Sequence, residues 1–183
     1  MEKLEHGTLL NKASIAGAVF GLISGSYIFI TSAMSAAEMG GLLSPVLWLA
    51  KFVGCIYLMI FFMKKLVKDF DGVQNSDTLK FGVLTALFSA IITAAASYIA
   101  TEFVFPDLLD KQLDLVYQMY GEMLDSNSMA VLDKMTENYA TISFFSQLIW
   151  CFIYGSILSV IISGKIPSQD PFKDFKDKEN EAE

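Results

Sequence analysis

The chain has 183 residues, a formal net charge of −7, and 54% apolar residues without counting glycine. Soluble domains reach only about 45–50% apolar residues even when glycine is included. All of its basic residues are lysines, and the absence of arginine argues against nucleic-acid binding. His6 is the single histidine, which excludes a histidine-based metal or acid–base cluster within one chain. We therefore expect no metal and no cofactor, and the apolar excess indicates a membrane protein.

Four apolar blocks follow one another along the chain, each close to the length of about 20 residues that a spanning helix needs. They cover residues 13–33, 45–63, 81–101 and 141–163. Only helices satisfy the backbone of such blocks in lipid, because unpaired peptide groups are costly there. Within these limits only the second block carries a charge, at Lys51. The sequence predicts an all-α integral membrane bundle of four transmembrane helices, within a domain at residues 1–165.

The first block has an alternative interpretation as a cleaved signal peptide. Lys3 and Lys12 give it a basic start, and residues 33–35 (Ala-Met-Ser) resemble a cleavage site. The apolar stretch is longer than the roughly 7–15 residues of a signal core, however. We therefore expect this segment to be retained as the first helix.

The lysines in the connections predict the orientation of the bundle. With both termini in the cytoplasm, ten lysines lie inside and two, Lys111 and Lys134, lie outside. The opposite orientation reverses that ratio and violates the positive-inside rule. We expect a multi-pass protein of the cytoplasmic (inner) membrane with both termini cytoplasmic.

The third connection, residues 104–140, is too long for a simple loop. Pro106 suits the first position of a helix, and apolar residues recur after it at helical spacing. A second short helix can begin after residues 125–128 (Asp-Ser-Asn-Ser), which are good cap formers. This pattern predicts an extramembrane helical hairpin between helices 3 and 4. Its acidic residues favour a solvated face over a cation site, since they follow no metal-loop spacing.

Residues 166–183 differ in composition from everything before them. Two prolines and a mixed run of lysines and acids dominate this segment. It is too polar to bury a core, so we expect a disordered cytoplasmic tail.

Small residues spaced four apart form a ridge on three of the predicted spans. Such ridges let two helix backbones approach closely in a membrane. They favour contacts within one subunit, with homodimerisation through the glycine ridge as the alternative. The ridges are Gly17, Gly21 and Gly25 on the first helix, Ala86, Ala90 and Ala94 on the third, and Cys151, Gly155, Ser159 and Ser163 on the fourth.

Lys51 lies six residues into its span, which places it about 9 Å below the outer end of the helix. Tyr27 and Gln147 fall at a similar depth on the first and fourth helices. Tyr98 lies slightly nearer the outside, and Glu102 ends the third helix. These five residues are candidates for an outward-facing polar layer. Lys51 has two alternative interpretations: a structural lysine that snorkels or pairs with Glu102, or part of a solute or ion site.

A glycine-rich first span is followed by four short segments in a fixed order. These are Met63-Lys64-Lys65, Thr78-Leu79-Lys80-Phe81-Gly82, Phe105-Pro106-Asp107-Leu108-Leu109 and Tyr154-Gly155-Ser156. This order of parts resembles a family of bacterial membrane proteins known as domain of unknown function 4199, common in the Bacteroidota. The resemblance implies an inner-membrane location, but it indicates neither an activity nor any functional residues.

Two functions remain open on the sequence. The first is a structural, accessory or partner-binding component of the membrane, whose partners are the lipid bilayer, another copy of the chain or another membrane protein. The second is a small oligomeric transporter or channel-like protein that uses the polar layer around Lys51. An enzyme is not expected, because the sequence has no nucleophile–base pair, metal cluster or phosphate loop.

Overall fold

The protein is described from a computed structural model that covers residues 2–37, 43–120 and 125–166. The predicted tail at residues 166–183 therefore lies outside the described residues, apart from Ile166. Two connecting segments, residues 38–42 and 121–124, also lie outside them.

The described residues form six α-helices, a π-helical turn and a two-residue strand pair. In chain order these are β1 (Glu2–Lys3), α1 (His6–Ala36), α2 (Leu43–Asp69), β2 (Phe70–Asp71), α3 (Asn75–Ile99), the π-helical turn (Ala100–Val104), α4 (Asp107–Tyr120), α5 (Ser126–Glu137) and α6 (Tyr139–Ser163).

The prediction of four long apolar helices is confirmed. The helix α1, the helix α2, α3 with its π-helical turn, and α6 are all long and apolar enough to cross a membrane. Each helix extends beyond its predicted apolar block at one or both ends.

Helix α3 lies at the centre of the bundle and packs most extensively against α6 and α1. Small residues make these close contacts possible. A Cβ atom added at Gly17 of α1 would lie 2.5 Å from the Cβ of Phe88, and one added at Gly155 of α6 would lie 2.6 Å from the Cβ of Ala86. Any side chain at either glycine would push α3 away. The glycine ridge of α1 is thus covered by α3 of the same chain.

The buried apolar core is concentrated at one end of the bundle, which we call the Phe70 end. The end of α2, the start of α3 and the end of α6 lie at this end. The opposite end, next to α4, is called the α4 end. The core residues are Leu9, Ala13, Ala16, Phe20, Met59, Met63, Leu66, Phe70, Val73, Phe81, Ile162 and Ile166.

Helix α2 is packed along only half of its length. Its buried residues are Met59, Met63 and Leu66, and none of the residues from Leu43 to Leu58 is buried. Its contacts with the other three spanning helices are also much less extensive than those between α3 and its neighbours. The part of α2 nearer the α4 end therefore stands away from the rest of the bundle.

A short parallel strand pair at the Phe70 end was not predicted. Glu2 pairs with Phe70 and Lys3 with Asp71, and Gly72 follows at a φ of +70°, a conformation that glycine adopts without strain. Two-residue strands leave no periodic signal in a sequence.

Helices α4 and α5 occupy the long third connection. Asp125 caps α5 by accepting a hydrogen bond from the Ser128 backbone N–H at 2.8 Å, and hydrogen bonding to Ser128 holds the pKa of Asp125 below its usual value. The Tyr117 hydroxyl of α4 donates to Asp133 Oδ1 of α5 at 3.1 Å. Two helices are thus present, while their pairing as a hairpin remains a prediction.

Candidate binding cavity around Lys51

A cavity of about 300 Å³ lies where α2 stands away from α1, α3 and α6. All four spanning helices contribute to its walls, which are mostly apolar. Its lining residues are Phe20, Ser24, Trp48, Lys51, Phe52, Cys55, Met59, Thr85, Ala86, Ser89, Cys151, Tyr154, Gly155 and Leu158.

The small size of the residues in the wall opposite α2 explains why this space is not filled by side chains. The wall opposite α2 is built partly from Ala86, Ser89 and Gly155, small residues that fill little volume, and Gly155 packs against Ala86 where α6 meets α3. Trp48 and Tyr154 line the cavity and are also exposed, so the cavity opens between α2 and α6. The opening therefore lies on the outer surface of the helix bundle.

Lys51 is the charged residue among those lining the cavity. Its Nζ lies 4.6 Å from the centre of the Tyr27 ring on α1, within the range of a cation–π interaction. Both residues also line a second hollow of about 420 Å³ between α1 and α2. Lys51 is therefore flanked by open space on two sides of α2.

No carboxylate partner of Lys51 is found among residues 2–37, 43–120 and 125–166. Elsewhere in the bundle, Lys80 and Asp77 of α3 form an ion pair at 3.8 Å. Glu102 is exposed in the π-helical turn and makes no described ion pair. The Lys51–Glu102 pairing considered from the sequence is not formed in the structure.

The five residues of the predicted polar layer separate into different places. Tyr27 and Lys51 are in contact, as described above. Gln147 Nε2 donates to Cys151 Sγ at 3.1 Å and so lies beside the cavity. Tyr98 instead packs against Phe144 and, with Glu102, lies outside the cavity lining.

Several cavity residues were missed by reading the sequence for charge alone. Trp48 stacks on Phe52 with ring centroids 5.4 Å apart, and Phe52 meets Tyr154 of α6 at 6.0 Å. Trp48, Phe52, Cys55 and Met59 recur at spacings of three and four, so they share one helix face with Lys51. This spacing along α2 is the sequence signal that could have identified these residues as cavity neighbours of Lys51.

Cys55 of α2 and Cys151 of α6 are both free thiols and both line the cavity. They lie on the two helices between which the cavity opens, which makes them natural reporters of its accessibility.

The sequence profile of the family described as protein of unknown function (DUF4199) matches residues 13–164. That match covers most of the chain. The chain belongs to the DUF4199 family. The resemblance inferred from the sequence is thus confirmed, and the DUF4199 region contains every residue of the Lys51 cavity. No curated protein and no solved structure matches the chain.

Proposed function

We propose that this DUF4199 protein is a non-enzymatic accessory component of the cytoplasmic membrane that acts by binding a partner within the bilayer, at the Lys51 cavity. One observation carries the proposal. The four spanning helices together enclose a mostly apolar cavity lined by Lys51, whose ammonium lies over the Tyr27 ring and has no carboxylate partner among the described residues.

The cost of an intramembrane charge supports this proposal. A lysine in a spanning helix is expensive and usually faces a partner or an aqueous cavity. Lys51 and Tyr27 lie eight and nine residues from the α4 ends of their helices, or roughly 12–14 Å along the axis. The ammonium is thus directed across the bundle towards Tyr27 rather than along α2 towards the headgroups, which favours a binding lysine over a snorkelling one.

The proposed orientation follows from the lysines in the connections. We infer that the Phe70 end and both termini lie in the cytoplasm, because the lysine-rich second connection, the start of α1 and the end of α6 lie there. Helices α4 and α5 then form an external hairpin over the outer ends of the bundle. The Lys51 cavity lies in the outer half of the membrane in this arrangement.

Purification from native membranes in mild detergent tests the proposed function. We expect the wild-type protein to retain a bound lipid, small molecule or membrane protein, and Lys51→Leu to fold normally but lose it. Lys80→Leu is the matched control, since Lys80 lies at the Phe70 end with its side chain exposed. A Lys51→Leu protein that misfolds or changes topology would instead indicate a structural lysine.

A transporter is the second candidate, favoured by the position of Lys51 between two hollows on either side of α2. Four helices enclose little space alone, so this function requires an oligomer. Its test is reconstitution into vesicles. An oligomer that carries a bound anionic solute and moves it across the bilayer supports transport, whereas a stable protein partner supports the accessory function.

A further inference from the structure

We propose that the Lys51 cavity binds a single-chain carboxylic acid of the fatty-acid class, with its carboxylate at the Lys51 ammonium and its chain directed towards Met59. This inference rests on the proposed function, that the cavity is a binding site, and adds the chemistry of the ligand. Four features restrict the ligand. These are the charge of Lys51, the depth of Lys51 in the membrane, the length and volume of the cavity, and the position of the cavity opening.

Charge complementarity requires an anionic group. The other lining residues are apolar or carry neutral hydroxyl and thiol groups, and no acidic residue is among them. An ammonium in a largely apolar environment is stabilised best by an anion that it can hydrogen-bond. The ligand must therefore bring the carboxylate that the described residues do not supply.

The depth of Lys51 favours a small acidic head over a phospholipid headgroup. Helix α2 has 27 residues and is about 40 Å long, against a hydrocarbon core of about 30 Å. With the helix centred, Lys51 lies about 7 Å inside the hydrocarbon boundary. The phosphate of a bilayer lipid remains at the interface, whereas a compact carboxylate can follow its chain inwards.

The shape of the cavity fits one acyl chain. From Lys51 to Met59 is eight residues of helix, or about 12 Å, and Phe52, Cys55 and Leu158 line the space along this path. A volume of about 300 Å³ lies at the lower end of the range of small-molecule sites, about 300–1,000 Å³. It accommodates one chain rather than the two of a phospholipid.

The position of the opening provides a route of entry. The cavity opens between α2 and α6, beside the exposed side chains of Trp48 and Tyr154. In a bilayer this opening faces lipid, so an amphiphile can enter sideways without passing through water.

Laurate and lauryl alcohol form a matched pair of probes, since they share a chain and differ in the charged head. We expect the purified full-length protein, stripped of lipid in detergent, to bind laurate more tightly than lauryl alcohol by calorimetry. Lys51→Leu should weaken laurate binding about tenfold or more, the usual effect of a lost charged hydrogen bond, and leave lauryl alcohol nearly unchanged. Lys80→Leu should alter neither.

A second variant tests the path of the chain independently of Lys51. Ser89→Leu places a branched side chain in the cavity wall opposite α2, so it should weaken both probes. Laurate and lauryl alcohol bound equally, laurate bound equally by wild type and Lys51→Leu, or inorganic phosphate displacing laurate would each overturn the proposal.

The native purification separates failure of this inference from failure of the proposed function. If wild-type protein retains a neutral lipid or a membrane protein in a Lys51-dependent way, the cavity binds a partner but the fatty-acid assignment is wrong. If it retains nothing and laurate does not bind, both are wrong. Fatty acid recovered from wild type and absent from Lys51→Leu supports both.

Discussion

The ammonium of Lys51 lies 4.6 Å from the centre of the Tyr27 ring. The face of an aromatic ring is negatively polarised and replaces part of the hydration that the ammonium loses. Neutral surroundings elsewhere in the cavity leave the charge available to a ligand. The properties of the candidate site therefore depend first on this residue pair.

A double-mutant cycle measures the Lys51–Tyr27 interaction. We expect Tyr27→Leu to lower the free energy of unfolding in detergent by about 0.5–2 kcal/mol in the presence of Lys51, and by less in a Lys51→Leu background. Tyr27→Phe retains a ring face and should resemble wild type. Thermal unfolding of the four proteins gives the coupling energy, and strictly additive effects would show that the two side chains do not interact.

Two glycines in spanning helices differ sharply in what surrounds them. At Gly17 an added Cβ would meet the Phe88 side chain and lie 2.9 Å from the Thr85 backbone oxygen, while at Gly54 nothing lies within 4 Å. We expect Gly17→Ala to destabilise the protein by about 1–3 kcal/mol through overpacking. Gly54→Ala should be neutral or stabilising, since alanine favours a helix. Thermal unfolding in detergent compares the two, and equal effects would contradict the α1–α3 packing described above.

The contact between α4 and α5 should be sensitive to alkaline pH. The hydrogen bond from Tyr117 to the Asp133 carboxylate raises the pKa of the phenol above its ordinary value of about 10. A raised pKa means that this contribution is present at lower pH, and it is lost as pH rises through the folded value. Deprotonation would place two negative charges side by side.

The phenolate absorbance of wild type minus that of Tyr117→Phe isolates this titration. We expect a midpoint above the ordinary tyrosine value, returning towards it in Asp133→Asn. A midpoint at the ordinary value in wild type would mean that the two helices are not linked through this bond.

At the scale of helices, the sequence was sufficient to identify the spans. Each apolar block is long and nearly free of charge, so its identity as a helix follows from backbone hydrogen bonding in lipid. Gly155, from the predicted ridge of α6, lies against Ala86, from the predicted ridge of α3. Such features are local in the chain, and a local pattern records them.

The separation of part of α2 from the other spanning helices could not be predicted from local sequence patterns. Residue counting gives the depth of a side chain along its helix but not the rotation or tilt of the helix. Tyr98 has a depth close to that of Lys51, yet its ring packs on Phe144, away from the cavity. Rotation and tilt follow from packing between helices, which a single sequence does not encode in any local pattern.

At the scale of the whole molecule, the proposed topology makes a direct prediction. Reporter fusions after residues 38 and 125 should report an external location, and fusions after residues 72 and 170 a cytoplasmic one. The lysine distribution determines this expectation. A cytoplasmic signal from the fusion at residue 125 would overturn the topology and move the Lys51 cavity to the inner half of the membrane.

The bundle is closed at the Phe70 end and open around Lys51. Cys55 and Cys151 line the open part, whereas Met63 lies on the same helix as Cys55 and is fully buried in the core. These three positions provide a comparison within one protein. A thiol at each reports whether small solutes reach it.

Alkylation by N-ethylmaleimide in lipid-stripped, folded protein measures that access most directly. We compare the native thiols with a Met63→Cys thiol placed in a background where Cys55 and Cys151 are replaced by alanine. Both native cysteines should react much faster than the cysteine at position 63. Equal rates at all three positions, or protection of both native cysteines, would contradict the cavity.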